Sequence, residues 1–238
     1  NKAIHYLTFS ANHNDSYGQY CLGSIYFAGL FISRNICKSL KYLKLSADQN
    51  FVEAQYLLGE IYYNGLYCEK DVNKAIQYFI LSSDQNHEKS QYRLGLIYYE
   101  GKNVPCDIDK SIKYFSLSAK QNNTNALYYL GHIYYSGKYI SQDIGKSLKY
   151  LTASAELGNF NAQYYLGKAY LDADFVQRDI KKAIHYLTLS AKHNYKEAYY
   201  NLGLIYYEAK YIMRDMNKAI NYLTLASNHN DSRAQYLL

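Results

Sequence analysis

Between residues 52 and 63 the apolar side chains Ala54, Leu57, Leu58, Ile61 and Tyr62 recur three and four positions apart, which lines them up on one stripe of a helix. This pattern predicts a helix, A, over roughly 52–63. Gly65 marks its end, because glycine enters the left-handed cap conformation without penalty, and Gly29, Gly101 and Gly137 stand at the same place. Ala173 and Ala209 replace that glycine further on, so different helix ends are expected there. A second pattern, helix B, follows Asp71, whose side-chain oxygen suits an N-cap; Asn35, Asp107, Asp143, Asp179 and Asp215 are its equivalents. In helix B the predicted buried stripe is Ala75, Ile76, Phe79, Ser82 and Ser83. Lys74 falls off that stripe, as do Lys38, Lys110, Lys146, Lys182 and Lys218, and together they predict a solvated ladder.

The pattern repeats. Leu22-Gly23, Leu58-Gly59, Leu94-Gly95, Leu130-Gly131, Leu166-Gly167 and Leu202-Gly203 follow one another at intervals of 36 residues. A fixed period of about 20 to 50 residues marks a solenoid, in which each supersecondary unit buries its apolar face on its neighbours. The expected architecture is all-α: a right-handed α-solenoid of stacked antiparallel helix pairs. One array fills 1–238, with a partial unit at 1–14, full units near 16–50, 52–86, 88–122, 124–158, 160–194 and 196–230, and a partial unit at 231–238. Because it starts and stops inside a repeat, the chain is expected to be an excerpt of a longer protein, and its uncapped ends are expected to allow self-association. A glycine inside helix A costs about 1 kcal/mol against alanine, so its recurrence predicts a close helix crossing. The expected partners are the small residues Ser39, Ala75, Ser111, Ser147, Ala183 and Ala219. Tyrosines hold three registers, beginning at Tyr20, Tyr26 and Tyr42, and this recurrence assigns them to the framework rather than to a base-stacking platform.

Composition narrows the function classes. The 238 residues are 49% hydrophobic, with 32 tyrosines that can keep a hydroxyl wet. No run approaches the roughly 18 apolar residues of a membrane span and no signal-peptide pattern opens the chain, so no membrane insertion is expected. A net charge of +6 with dispersed lysines does not call for nucleic acid. Cys21, Cys37, Cys68 and Cys106 occupy four different repeat positions and read as free thiols in a reducing, cytoplasmic compartment; the endoplasmic reticulum lumen is the alternative should a preceding signal exist. Asn14-Asp15-Ser16, Asn122-Asn123-Thr124 and Asn230-Asp231-Ser232 match the glycosylation acceptor pattern, as expected by chance in an Asn-rich chain. His5, His13, His185, His193 and His229 lack zinc-site spacing, and no phosphate loop or nucleophile elbow occurs. No cofactor, no metal and no catalysis are expected.

The residues Ala54-Gln55-Tyr56-Leu57-Leu58-Gly59, Tyr62 and Gly65, then Asp71, Lys74-Ala75, Tyr78 and Ser82-Ser83, resemble the Sel-one-like repeat, a relative of the tetratricopeptide repeat. Tetratricopeptide units share Leu-Gly-x-x-Tyr, but their period is about 34. Here Ala75 follows Gly59 by sixteen positions, which implies a longer A–B loop. The resemblance implies a scaffold or adaptor, as in endoplasmic reticulum quality control, activation of a membrane synthase, association with kinase domains, or bacterial host interaction. The disulfide spacing of the cysteine-rich bacterial branch is absent.

Within each helix A the changing positions are spaced four, three and four apart, which places them on one face. By resemblance this face lines the concave groove. Its richest part holds Arg93, Leu96, Tyr129, His132, Tyr165 and Lys168, aromatic and cationic types that often anchor partners. The expected function is a non-catalytic scaffold binding a protein or peptide there. Two alternatives are a regulatory repeat domain of a multidomain enzyme such as a protein kinase, and an RNA-binding helical repeat. Glu53, Glu60 and Asp172 on the same face disfavour the latter.

Overall fold

The computed structural model describes residues 2–29, 31–173 and 176–238; Asn1, where the first partial unit was expected to begin, lies outside them. Fourteen α-helices and no strand are found among the described residues. In chain order they are α1 (Lys2–Asn12), α2 (Ser16–Ala28), α3 (Ile36–Asp48), α4 (Val52–Asn64), α5 (Val72–Asp84), α6 (Glu88–Glu100), α7 (Ile108–Ala119), α8 (Thr124–Ser136), α9 (Ile144–Glu156), α10 (Phe160–Asp172), α11 (Ile180–Ala191), α12 (Lys196–Glu208), α13 (Met216–Asn228) and α14 (Ser232–Leu237). Even-numbered helices are the A type and odd-numbered ones the B type, and each A helix packs on the B helix that follows it. The helices fall into two compact units, Asn1–Gln121 and Asn122–Leu238.

In the first unit Leu43, Leu58, Ile61, Phe79 and Leu94 are fully buried at one continuous core. In the second, Leu187, Ala198, Leu202 and Leu223 form one cluster, and Leu151, Ala155, Ala162 and Leu166 another. The predicted stripes are these cores, except that Leu57 and Ile76 are half-buried. Gln19, Gln55, Gln91 and Gln163 are buried beside the apolar stripe, a feature the hydrophobic pattern did not reveal.

The caps follow the predicted chemistry. Asp71, Asp107, Asp143, Asp179, Asp215 and Asn35 each accept a hydrogen bond from the backbone N–H three residues on. Gly29, Gly65, Gly101 and Gly137 end their helices with φ between 59° and 70°. The expectation of different ends at Ala173 and Ala209 is overturned: both adopt the same left-handed cap, at φ 60° and 53°, as the glycines do at this repeat position, and the alanines bear the strain of a Cβ there. A second left-handed register was not anticipated. Asn14, Asn50, Asn86, Asn122, Asn194 and Asn230 turn from B to A with φ of 60° to 64°, the conformation Asn tolerates best after glycine. This turn explains the three glycosylation-like triplets: a left-handed Asn, an N-cap residue, and Ser16, Thr124 or Ser232 opening the next helix.

The close crossing at the helix-A glycine is present, but its partner differs from the expected one. A Cβ on Gly59 would stand 2.5 Å from the Phe79 ring, one on Gly95 2.5 Å from Phe115, and one on Gly131 2.7 Å from Leu151. The glycine makes room for a large side chain of helix B, since the small residue four positions earlier lies beside the backbone instead. There, Ser111 and Ser147 donate their hydroxyls to the carbonyls of Gly95 and Gly131, at 3.0 and 2.9 Å.

The lysine ladder is exposed, as predicted, and also partnered. Lys74, Lys110, Lys146, Lys182 and Lys218 lie 2.9 to 3.8 Å from the carboxylates of their own N-cap aspartates. With Lys38 they stand 4.9 to 5.2 Å over the rings of Tyr26, Tyr62, Tyr98, Tyr134, Tyr170 and Tyr206. Each of these rings stacks on the helix-B tyrosine sixteen residues later, with planes 3° to 9° apart. Exposed ion pairs contribute about 0–1 kcal/mol each, so this cassette sets the A–B register more than it holds the fold.

Candidate functional site

Because Ala54, Leu58 and Gly59 and their equivalents point inward, the positions four, three and four apart point away from the B helix. Their outer members, Glu53, Asn64 and Lys89, are exposed. The central positions are half-buried, including all six of Arg93, Leu96, Tyr129, His132, Tyr165 and Lys168. The cause is lateral contact between successive A helices.

In the first unit Arg93 on α6 reaches Glu60 on α4. Nε donates to Oε1 and Nη2 to Oε2, both at 2.5 Å, a two-point fork that matches guanidinium to carboxylate. Tyr56 shares the site, and burial, with the Glu60 charge adding, pushes its phenol up from the usual range. Leu96 lies one turn beyond Arg93 on α6. The Arg93 cation is thus already neutralised by its own repeat array.

In the second unit the candidate residues form an aromatic cluster. The Tyr165 ring meets His132 edge-on at 5.3 Å, Tyr128 at 5.9 Å and Tyr135 at 5.9 Å. Tyr129 stands edge-on to Tyr128 at 5.2 Å. Burial holds the His132 imidazole below its usual range, so at neutral pH it is an uncharged ring. Burial, reinforced by Tyr165, pushes the Tyr128 phenol strongly up. Lys168 lies 3.8 Å from Asp172 one turn on. The mixture of aromatics and cations read from the sequence becomes an aromatic patch with balanced charges. Sequence reasoning missed Tyr128, which recurs in register and was assigned to the framework, and Tyr135, which was not singled out; their contacts with Tyr165 on α10 could be had only from the packing.

No group of three or more His, Cys, Asp or Glu residues suited to a metal ion occurs among the described residues. No helix among them is long and apolar enough to cross a membrane.

An array of A–B helix pairs with a variable outer face defines a repeat protein of the α-solenoid class. The family model described as Sel1 repeat matches residues 16–51, 52–87, 88–123, 124–159, 161–195 and 196–231, and the chain belongs to the Sel1 repeat family. Proteins of this family are generally non-catalytic scaffolds for protein interaction. No curated protein matches the chain in sequence. Among solved structures, a protective antigen of uropathogenic Escherichia coli with an SLR fold superposes with a TM-score of 0.92 at 24% identity, over 99% of this chain and 50% of that one. This chain therefore spans half the length of that antigen. A Sel1 repeat protein from Oxalobacter formigenes matches at TM-score 0.75 and 26% identity, over 91% and 89% of the two chains. An immunity protein from Pseudomonas aeruginosa matches at 0.51 and 18%, over 90% and 80%. The likeness to the antigen and the immunity protein is one of fold.

Proposed function

We propose that the chain is a non-catalytic scaffold that holds a protein or peptide partner along the changing face of its A helices, the face expected to line the concave groove, with Arg93 and Leu96 in the first unit and Tyr129, His132, Tyr165 and Lys168 in the second as its contact residues. One observation carries this reading: the positions of that face, 53, 57, 60 and 64 and their equivalents, change identity from repeat to repeat, while Leu58, Gly59 and Tyr62 and their equivalents, which pack the helix pairs, recur. Half-buried aromatic rings in the second unit support it, because rings held rigid by their neighbours lose little freedom when a partner covers them. The paired state of Arg93 argues for shape and apolar contact, rather than a free cation, as what the partner meets.

The test compares the wild-type array with Tyr129→Ala/Tyr165→Ala and with a control, Lys149→Glu, on the exposed face of α9. Arg93→Glu is a poor probe, since it would set two carboxylates against each other at Glu60. Partners captured by the wild type are identified and their affinities measured. Anchor residues contribute about 2 kcal/mol or more to binding, so the double variant is expected to lose at least about tenfold in affinity while the control retains it. Equal loss in the control, or no loss in the double variant with its circular dichroism unchanged, would overturn the assignment.

A further inference from the structure

Two repeats of this chain carry the same clamp on different fillings. In the first unit Arg34 donates from Nε to the Phe27 carbonyl at 3.0 Å, from Nη2 to the Ala28 carbonyl at 3.2 Å, and from Nη1 to the Tyr67 hydroxyl at 2.6 Å. Its guanidinium lies 4.4 Å over the Tyr67 ring. Four repeats later Arg178 makes the same set of contacts with Leu171 at 3.0 Å, Asp172 at 3.2 Å and Tyr211 at 2.5 Å, again 4.4 Å over the ring. What differs is the side chain before the cap. In the first unit the Phe27 ring stands edge-on to Tyr67, 6.0 Å between centroids. In the second, Leu171 takes the place of that phenylalanine, and Leu204 takes the place of Glu60. There a cleft of about 420 Å³ lies among Leu171, Leu204, Ile205, Tyr211, Asn201 and Glu208.

We infer that this cleft receives a phenylalanine or tyrosine side chain from a bound peptide, in the position the chain's own Phe27 holds against Tyr67. Leucine is shorter than phenylalanine, so the outer part of the ring's space is left open, with two leucines, an isoleucine and Tyr211 on its walls and polar and charged side chains around them. An aromatic ring entering it gains the edge-to-face contact already made in the first unit. An anionic group gains little there, because the carboxylates of Asp172 and Glu208 line the same cleft, the Arg178 nitrogens are engaged by the α10 carbonyls and Tyr211, and the Lys210 ammonium lies 5.3 Å over the Tyr211 ring. Asn201, Leu204 and Glu208 belong to the changing face of α12, so the inference rests on the reading of that face as the binding face.

The experiment is NMR titration of the whole chain with capped Gly-Phe-Gly, Gly-Leu-Gly and Gly-Ala-Gly peptides. The expected result is saturable shifts at Leu171, Leu204 and Tyr211 with the phenylalanine peptide, with a dissociation constant of roughly millimolar order for a single side chain, and at least severalfold weaker binding of the other two. Leu171→Phe rebuilds the first-unit filling and is expected to abolish the shifts while leaving the chain folded. Leu204→Glu, which installs the residue that stands at this repeat position on α4, is the second variant and is expected to do the same. Absence of saturable shifts, equal binding of the leucine peptide, or undiminished binding by a folded variant would overturn the inference. If partner capture through Tyr129 and Tyr165 persists while the phenylalanine peptide fails, the cleft assignment alone falls.

Discussion

Ala173 and Ala209 sit in a backbone conformation that their Cβ atoms resist, at a cost of about 1–2 kcal/mol. Glycine there would relieve this strain but lose more freedom on folding, about 0.5–1 kcal/mol. Ala173→Gly and Ala209→Gly are therefore each expected to stabilise the chain by about 0.5–1 kcal/mol, read as a higher urea midpoint with an unchanged slope. His87 is the other residue under tension. It caps α6 by accepting from the Ser90 N–H at 3.3 Å, with the Ser90 hydroxyl 2.8 Å from the same Nδ1. Only the neutral ring can accept at that atom. Burial holds its pKa below the usual range; Lys89 acts in the same direction, and Glu53 and Glu88 oppose it. The unfolded chain, titrating near 6.5, thus takes up a proton at a higher pH than the folded one. The contribution of His87 is full above about pH 6.5, falls as pH drops toward the folded pKa, and levels off below it. In thermal melts from pH 7 to 5, wild type should lose more stability than His87→Asn, which carries the cap that Asn123 and Asn159 supply elsewhere.

At the scale of the helix pair, the buried glutamines show how one repeat is tied to the next. Gln49, Gln85 and Gln121 donate to the Oε1 atoms of Gln19, Gln55 and Gln91, thirty residues earlier, at 2.8, 2.8 and 2.9 Å. Where the first member is Leu127 the second is Leu157, and where it is Tyr199 the second is His229, whose ring stacks on it at 5.8 Å. The two positions change together because an unpaired buried carbonyl costs about 1–3 kcal/mol, whereas replacing both partners by apolar groups costs little. Gln163 breaks the rule, facing the His193 position, and its buried Oε1 has no partner. Gln85→Ala is expected to destabilise by about 1–2 kcal/mol and Gln55→Leu/Gln85→Leu by less, so a double-mutant cycle should return a coupling of about 1 kcal/mol. This pairing was on the page of the sequence as a matched change thirty residues apart, but nothing in a hydrophobic pattern says which two registers meet. The same holds for the glycine crossing. Its recurrence was legible, but the choice between Ser111 and Phe115 as the residue filling the gap depends on how far the helices rotate on contact.

Within each unit, packing runs between helices adjacent in the chain, with A-to-A contact also between α8 and α10 and, through Arg93 and Glu60, between α6 and α4. Stability is then close to a sum of repeat and neighbour terms within each unit, and the partner proposed to lie along the A helices would draw on several repeats without any one being indispensable. The sequence by itself determined the helices, their caps, the repeat and the face that varies, since each rests on local periodicity or on a single residue's backbone preference repeated every 36 positions. The tertiary structure decided how those parts meet. It set alanines into a glycine turn, neutralised Arg93 with Glu60, gathered Tyr128, His132, Tyr135 and Tyr165 around one contact, and left a cleft at Leu171 where Phe27 fills the equivalent place. The physical reason is range. Caps and stripes depend on atoms within a turn of helix, whereas charge balance, ring contact and open space depend on residues thirty or more positions apart, brought together only by packing.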